Sequence, residues 1–165
     1  LMIKKLSVLV LLNTFLFSGV NLAYSEVAPV KKTPETGFKQ TIYVPAYSSI
    51  FHGDKPFEFD LAITLSIRNT NLKNQIILNQ VDYYDTKGKL AKVLFSGQRR
   101  INPLETVNFI IKESDHTGGT VVNFIVNWQA PKKVNQPLIE SVMIGTGNQQ
   151  GVSFTSRGVI INPDN

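Results

Sequence analysis

No cysteine occurs in the 165 residues. That excludes a disulfide framework, a thiolate zinc site, an iron–sulfur cluster, a Cys nucleophile and a lipid-bearing Cys anchor. His52 and His116 are the only histidines, too few for a His-rich metal centre. After residue 25, no window repeats apolar residues at i, i+3, i+4 and i+7 between caps, so no helix is expected. Internal repeats and low-complexity tracts are missing as well. What the chain does have is 42% hydrophobic residues, with ten Phe and five Tyr, enough for a packed core and against wholesale disorder. The length fits one domain.

Residues 1–25 have the plan of a secretory signal peptide. Lys4 and Lys5 form a basic start, Leu6 to Val20 is apolar, and Ala23-Tyr24-Ser25 offers small residues where a signal peptidase reads. The alternative is an uncleaved inner-membrane anchor. Leu6 to Ala23 is near the lower limit for a span, about 17 residues, and Asn13, Thr14, Ser18, Gly19 and Asn21 dilute it. Removing residues 1–25 leaves 15 Lys+Arg against 12 Asp+Glu, so the formal charge falls from +5 to +3. That balance argues neither for nucleic acid nor for a strong membrane-surface field, and no basic stretch is interleaved with aromatics. Residues 26–40 hold Pro29, Pro34 and several charges, which predicts a tether, with a single domain over 41–165.

From Thr41 the chain alternates with period two. Residues 41–47 predict a strand that Pro45 confines to an edge or bends. In 57–67, Phe57, Phe59, Leu61, Ile63, Leu65 and Ile67 share one face and Glu58, Asp60, Thr64 and Ser66 the other, which predicts one half-buried strand. Asn69-Thr70-Asn71 is turn chemistry. Residues 75–85 read as the partner strand, and Asp85-Thr86-Lys87-Gly88 turns the chain into a hairpin over 83–95. Further alternating strands follow at 107–111, 122–128, 138–145 and 153–161. About seven to nine short strands with regular turns predict an all-β, immunoglobulin-like antiparallel sandwich, with Trp128 as its core plug.

Ser114, Asp115 and His116 are the residue types of a hydrolase triad, but consecutive side chains diverge and cannot relay a proton. His52 with Asp54 or Glu58 lacks a third spaced metal ligand. Glu58 and Asp60, about 7 Å apart along a strand, fall on its wet face, where carboxylates belong anyway. Asp82 and Asp85 flank Tyr83-Tyr84 and form the acid pair on which a glycan or ester hydrolase would depend. Gly145-Thr146-Gly147 begins like a dinucleotide fingerprint, but strand-like residues follow it and the third glycine is misplaced. The stretch Gly145–Gly158 is nevertheless unusual. Thr146, Asn148, Gln149, Gln150, Ser153, Thr155, Ser156 and Arg157 give it a density of hydrogen-bonding side chains suited to a sugar, a carboxylate or a peptide backbone. Tyr83 and Tyr84 are the second candidate surface.

The strings IYVPAYSSIFHGDK (42–55), LAITLSIRNTN (61–71), VDYYDTKGKL (81–90), the span 103–128 and above all VMIGTGNQQGVSFTSRG (142–158) resemble the bacterial domain-of-unknown-function family 3124, over residues 41–161. The resemblance implies an exported protein. The family has no assigned activity, so no functional residue carries over. The sequence therefore predicts a non-catalytic periplasmic or secreted module that binds an unknown protein or a small polar ligand. It predicts no catalytic residue, metal or cofactor, no nucleic acid, and no membrane span once the signal is cleaved. The alternatives are the envelope hydrolase with its acid pair and a structural module whose strand edges pair with another chain.

Overall fold

The computed structural model describes residues 37–54, 57–147 and 151–161. The chain divides into Leu1–Lys32 and Thr33–Asn165, and the described residues belong to the second unit. The expected signal peptide, residues 1–25, and residues 26–36 of the expected tether lie outside them.

The described chain is all-β. Its strands are β1 (Phe38–Tyr47), β2 (Ser49–His52), β3 (Phe57–Asp60), β4 (Ala62–Arg68), β5 (Ile76–Tyr84), β6 (Leu90–Ile101), β7 (Thr106–Ile111), β8 (Val121–Ala130), β9 (Leu138–Gly145), β10 (Val152–Arg157) and β11 (Val159–Ile161). They form a five-stranded sheet ordered β11-β1-β8-β5-β6, a four-stranded sheet ordered β10-β9-β4-β7, and the separate β2-β3 ribbon. All pairings are antiparallel. No described helix is long and apolar enough to cross a membrane.

The period-two pattern explains which faces are buried. Ile42, Val44 and Ala46 of β1, Val122, Phe124, Val126 and Trp128 of β8, and Ile76, Leu78, Val81 and Tyr83 of β5 point inward from one sheet. Ile63, Leu65 and Ile67 of β4, Val107 and Ile111 of β7, and Ile139 and Met143 of β9 point inward from the other. All belong to one apolar cluster. Without disulfides, that burial is the main stabilising term. Trp128 lies in this core with its ring 5.6 Å from Phe38. β1 therefore starts at Phe38, three residues before the expected start at Thr41.

Three strand expectations need correction. The segment 57–67 is two strands, broken at Leu61, whose N–H donates to the Ser48 carbonyl at 2.8 Å. Ser48 in turn bends the chain between β1 and β2, so β2 and β3 leave the main sheets as a hairpin and Phe57 becomes exposed. Residues 76–84 do not pair with β4 but enter the other sheet between β8 and β6. Finally, 152–161 is split at Gly158, with β10 pairing β9 and β11 pairing β1. A Cβ at Gly158 would stand 2.5 Å from Ile42 Cγ2 and 3.1 Å from Val44 Cγ2. Only a residue without a side chain lets the backbone cross between the sheets so close to β1. The 83–95 hairpin holds as expected, with Gly88 at φ +75°. Pro45 sits where β11 has already ended, so its missing N–H meets no second neighbour.

Candidate ligand-binding cleft

The polar stretch after Gly145 divides into parts with different duties. Gly145 and Gly147 seat the Phe59 ring. A Cβ at Gly145 would also come within 2.6 Å of the Asp60 carbonyl and 2.8 Å of Leu61 Cδ2. These glycines are packing devices that hold the β2-β3 hairpin. Thr146 is exposed beside them, at the far end of β9 from Arg157. Asn148, Gln149 and Gln150 lie outside the described residues.

Along β10 the side chains alternate again. Ser153, Thr155 and Arg157 face solvent, while Phe154 and Ser156 are half-buried. Phe154 meets Tyr47 edge-on at 5.8 Å. Ser141 is fully buried, and its hydroxyl donates to the Pro45 carbonyl at 2.6 Å and weakly to the Ser156 carbonyl at 3.4 Å. The Ser141–Pro45 bond thus ties the two sheets together, and Ser156 joins it only through its backbone carbonyl.

Among the described side chains of the stretch, that of Arg157 reaches a concavity. With Gly158, Ile42, Thr70, Gln136 and the Pro137–Ile139 segment, it lines a cleft of about 270 Å³. The cleft sits at the end of the molecule where β4 runs out and β9 begins. Glu140 is the cross-strand partner of Arg157, yet its carboxylate pairs with Arg68 at 3.3 Å from the other side. Among the described residues Arg157 makes no ion pair. Thr70 is held by a 2.9 Å bond from its hydroxyl to the Gln136 carbonyl, which ties two walls of the cleft together. The site thus offers one guanidinium, polar groups on Thr70 and Gln136, and an apolar floor. Thr70, Gln136 and Ile42 carry no local sequence signal for this role, because the strand crossovers alone bring them together.

The other candidate residues are used structurally. Tyr83 lies in the core, fully buried and 5.4 Å from the Phe124 ring, so it contacts no ligand. Burial, reinforced by the nearby Asp115 charge, pushes its phenol up to about 12. Its hydroxyl has no hydrogen-bond partner among the described residues. Tyr84 is half-buried on the other face, level with Asn123 and Leu90. Asp85 Oδ1 accepts from the backbone N–H groups of Lys87 and Lys89 at 2.9 and 2.7 Å and so caps its turn. Asp82 is 5% exposed and accepts from Gln80 Nε2 at 2.6 Å. The two carboxylates therefore serve a turn and a sheet face separately.

Ser114 and His116 share a shallow depression with Asp60, Lys112 and Glu113. His116 Nδ1 is 3.7 Å from Asp60 Oδ1, and their side chains are 64% and 42% exposed. A triad carboxylate is buried and hydrogen-bonded to its imidazole, and this pair is neither. Asp115 pairs with Lys92, whose hydrogen bond, with another from Thr117, holds the carboxyl below the usual carboxylate range. Glu58 accepts from Ser49 Oγ at 2.9 Å, and His52 packs 6.2 Å from Phe57 and 6.3 Å from Phe59. Among the described residues no three His, Asp or Glu side chains are grouped to hold a metal ion.

No curated protein matches the chain. Among solved structures, the chain is similar to the crystal structure of Thermotoga maritima 1070, with a TM-score of 0.43 and 12% identity over 73% of this chain and 92% of that one. The family model described as "Protein of unknown function (DUF3124)" matches residues 39–161, and the chain belongs to that family.

Proposed function

We propose that the protein is an exported, non-catalytic binding module, an immunoglobulin-like sandwich of the two larger sheets whose ligand site is the Arg157 cleft. The observation that carries the reading is the placement of Arg157 on the cleft, while Arg68 takes the one carboxylate across the sheet from it. A guanidinium left in that position selects a carboxylate, which it can grip with two parallel bonds. At about 270 Å³ the cleft is smaller than most drug-sized sites and suits an amino acid or the end of a short peptide. The Asp85 turn cap and the exposure of the His116–Asp60 pair weigh against a hydrolase. Export rests on the signal-like residues 1–25.

Calorimetric titration with small carboxylates, each beside its neutral amide, tests the proposal. The carboxylate of a matched pair is expected to bind and the amide to fail. Equal binding of both, or binding unchanged in Arg157→Gln, would remove the cleft from consideration.

A further inference from the structure

We infer that the end of the molecule formed by the 69–75, 102–105 and 131–137 loops docks on an anionic lipid bilayer, with Leu72 and Leu104 entering the interface. Two features meet there. The first is a pair of protruding leucines. Leu72 is 75% exposed and Leu104 is 65% exposed. Leu104 holds a φ of +62°, the only non-glycine residue at positive φ among those described. It follows Pro103 in a turn closed by the Glu105 N–H on the Asn102 carbonyl at 3.1 Å. That pattern calls for Gly or Asn at the Leu104 position. A leucine there is strained and mostly exposed, which points to something outside the molecule. Both tips are firmly held. Asn69 is buried, and its side-chain amide donates to the carbonyls of Asn74, Ile101 and Asn102 at 2.8, 3.1 and 3.0 Å.

The second feature is charge, which the modest net value of the chain conceals. The fold gathers Arg68, Lys73, Arg99, Arg100, Lys132 and Lys133 around these loops, all exposed. Only Glu105 and Glu140 oppose them among the described residues, each beside an arginine. Leaving aside Arg157, whose cleft opens at the same end, the local net charge is +4. Basic side chains flanking apolar tips are what an anionic bilayer interface attracts, through headgroup charge and acyl-chain burial together. Phosphate chemistry on a nucleic acid would use the basic residues but leave both leucines wet, and these three loops contain no aromatic for base stacking. The inference goes beyond the cleft reading and does not depend on Arg157.

The absence of cysteine makes the test simple, because Leu104→Cys or Leu72→Cys can be labelled alone with an environment-sensitive fluorophore in the full chain. Phosphatidylglycerol vesicles are expected to blue-shift and brighten both labels, high salt to reverse the change, and phosphatidylcholine vesicles or free glycerol phosphate to leave them unchanged. A label at Phe51→Cys, on the hairpin at the opposite end, reports whether any response is merely that of the leader segment. Leu72→Ser and Leu104→Gly, both at exposed turn positions where the new residue fits the backbone, are expected to weaken vesicle binding about tenfold apiece. Labels that stay dark on anionic vesicles, a Phe51→Cys label that responds as strongly, or leucine-independent binding to a DNA duplex of equal affinity would overturn the inference.

Discussion

Replacing Asn69 with alanine probes how the cleft end is held together. The side chain is 1% exposed and sits between three segments. Its amide donates to the carbonyls of Asn74, Ile101 and Asn102, and its Oδ1 accepts from the Asn71 N–H at 3.0 Å. Two amide hydrogens serve three carbonyls, so one bond is shared. The effective loss is two donated bonds and one accepted bond, at about 1 kcal/mol each. Water replaces part of this where the carbonyls are half-buried, and the carbonyl left dry adds to it. The expected destabilisation is about 3 kcal/mol, a fall in Tm of roughly 10 °C for a domain of this size. Urea unfolding gives the free energy, and hydrogen exchange should show Asn71 losing protection first. Asn69→Asp, which presents an acceptor to the same carbonyls, is expected to be at least as damaging at neutral pH. A loss below about 1 kcal/mol for both variants would mean that solvent satisfies these groups and that Asn69 is not the tie.

Tyr83→Phe is expected to leave stability unchanged or to raise it, because it removes a buried hydroxyl without a partner among the described residues. It should also remove part of the alkaline sensitivity. A phenol raised from 10.0 to about 12 favours the folded state below the unfolded value, and that contribution is lost as pH rises from about 10 to about 12; equal alkaline unfolding of both proteins would contradict this. Gly158→Ala should destabilise by about 2 kcal/mol in urea, since the added Cβ meets Ile42 and Val44 where the chain crosses between sheets; a neutral result would mean that the crossing is not tight. Lys92→Met should lower stability at neutral pH and converge with the wild type in acid. Asp115, held below its ordinary 3.8, contributes above that value and loses its contribution as pH falls through the folded-state value. A gap in thermal stability that persists in acid would assign Lys92 a packing role instead.

The inward faces of β1, β4, β7 and β8 were legible in the chain because one buried face and one wet face leave a period-two signature. The Asp85–Gly88 turn was legible for the same local reason. Sheet membership was not. Nothing within residues 75–85 says that they pair with β8 rather than β4, since strand pairing is decided by packing distant in sequence. Gly158 carries the switch between sheets, but a glycine in a polar run reads equally well as loop. The candidate site was legible only at Arg157. Thr70 looked like turn material, Gln136 falls between two expected strands, and the cleft exists because the crossovers bring them beside β10. Tyr83 misled because an aromatic pair next to acids looks like a surface, whereas the alternation of β5 turns Tyr83 inward and Tyr84 outward. The leucine tips and their basic surround were invisible in a net charge, because the residues come from loops far apart in sequence.

The amide chemical shifts of the labelled protein during titration with a short peptide bearing a free C-terminal carboxylate test the binding claim most directly. Saturable shifts are expected at Thr70, Ile139 and Gly158, and they should vanish in Arg157→Gln while the rest of the spectrum stays in place. Shifts that survive in Arg157→Gln, or that centre instead on Asp60 and His116 at the other end of the sheets, would contradict it.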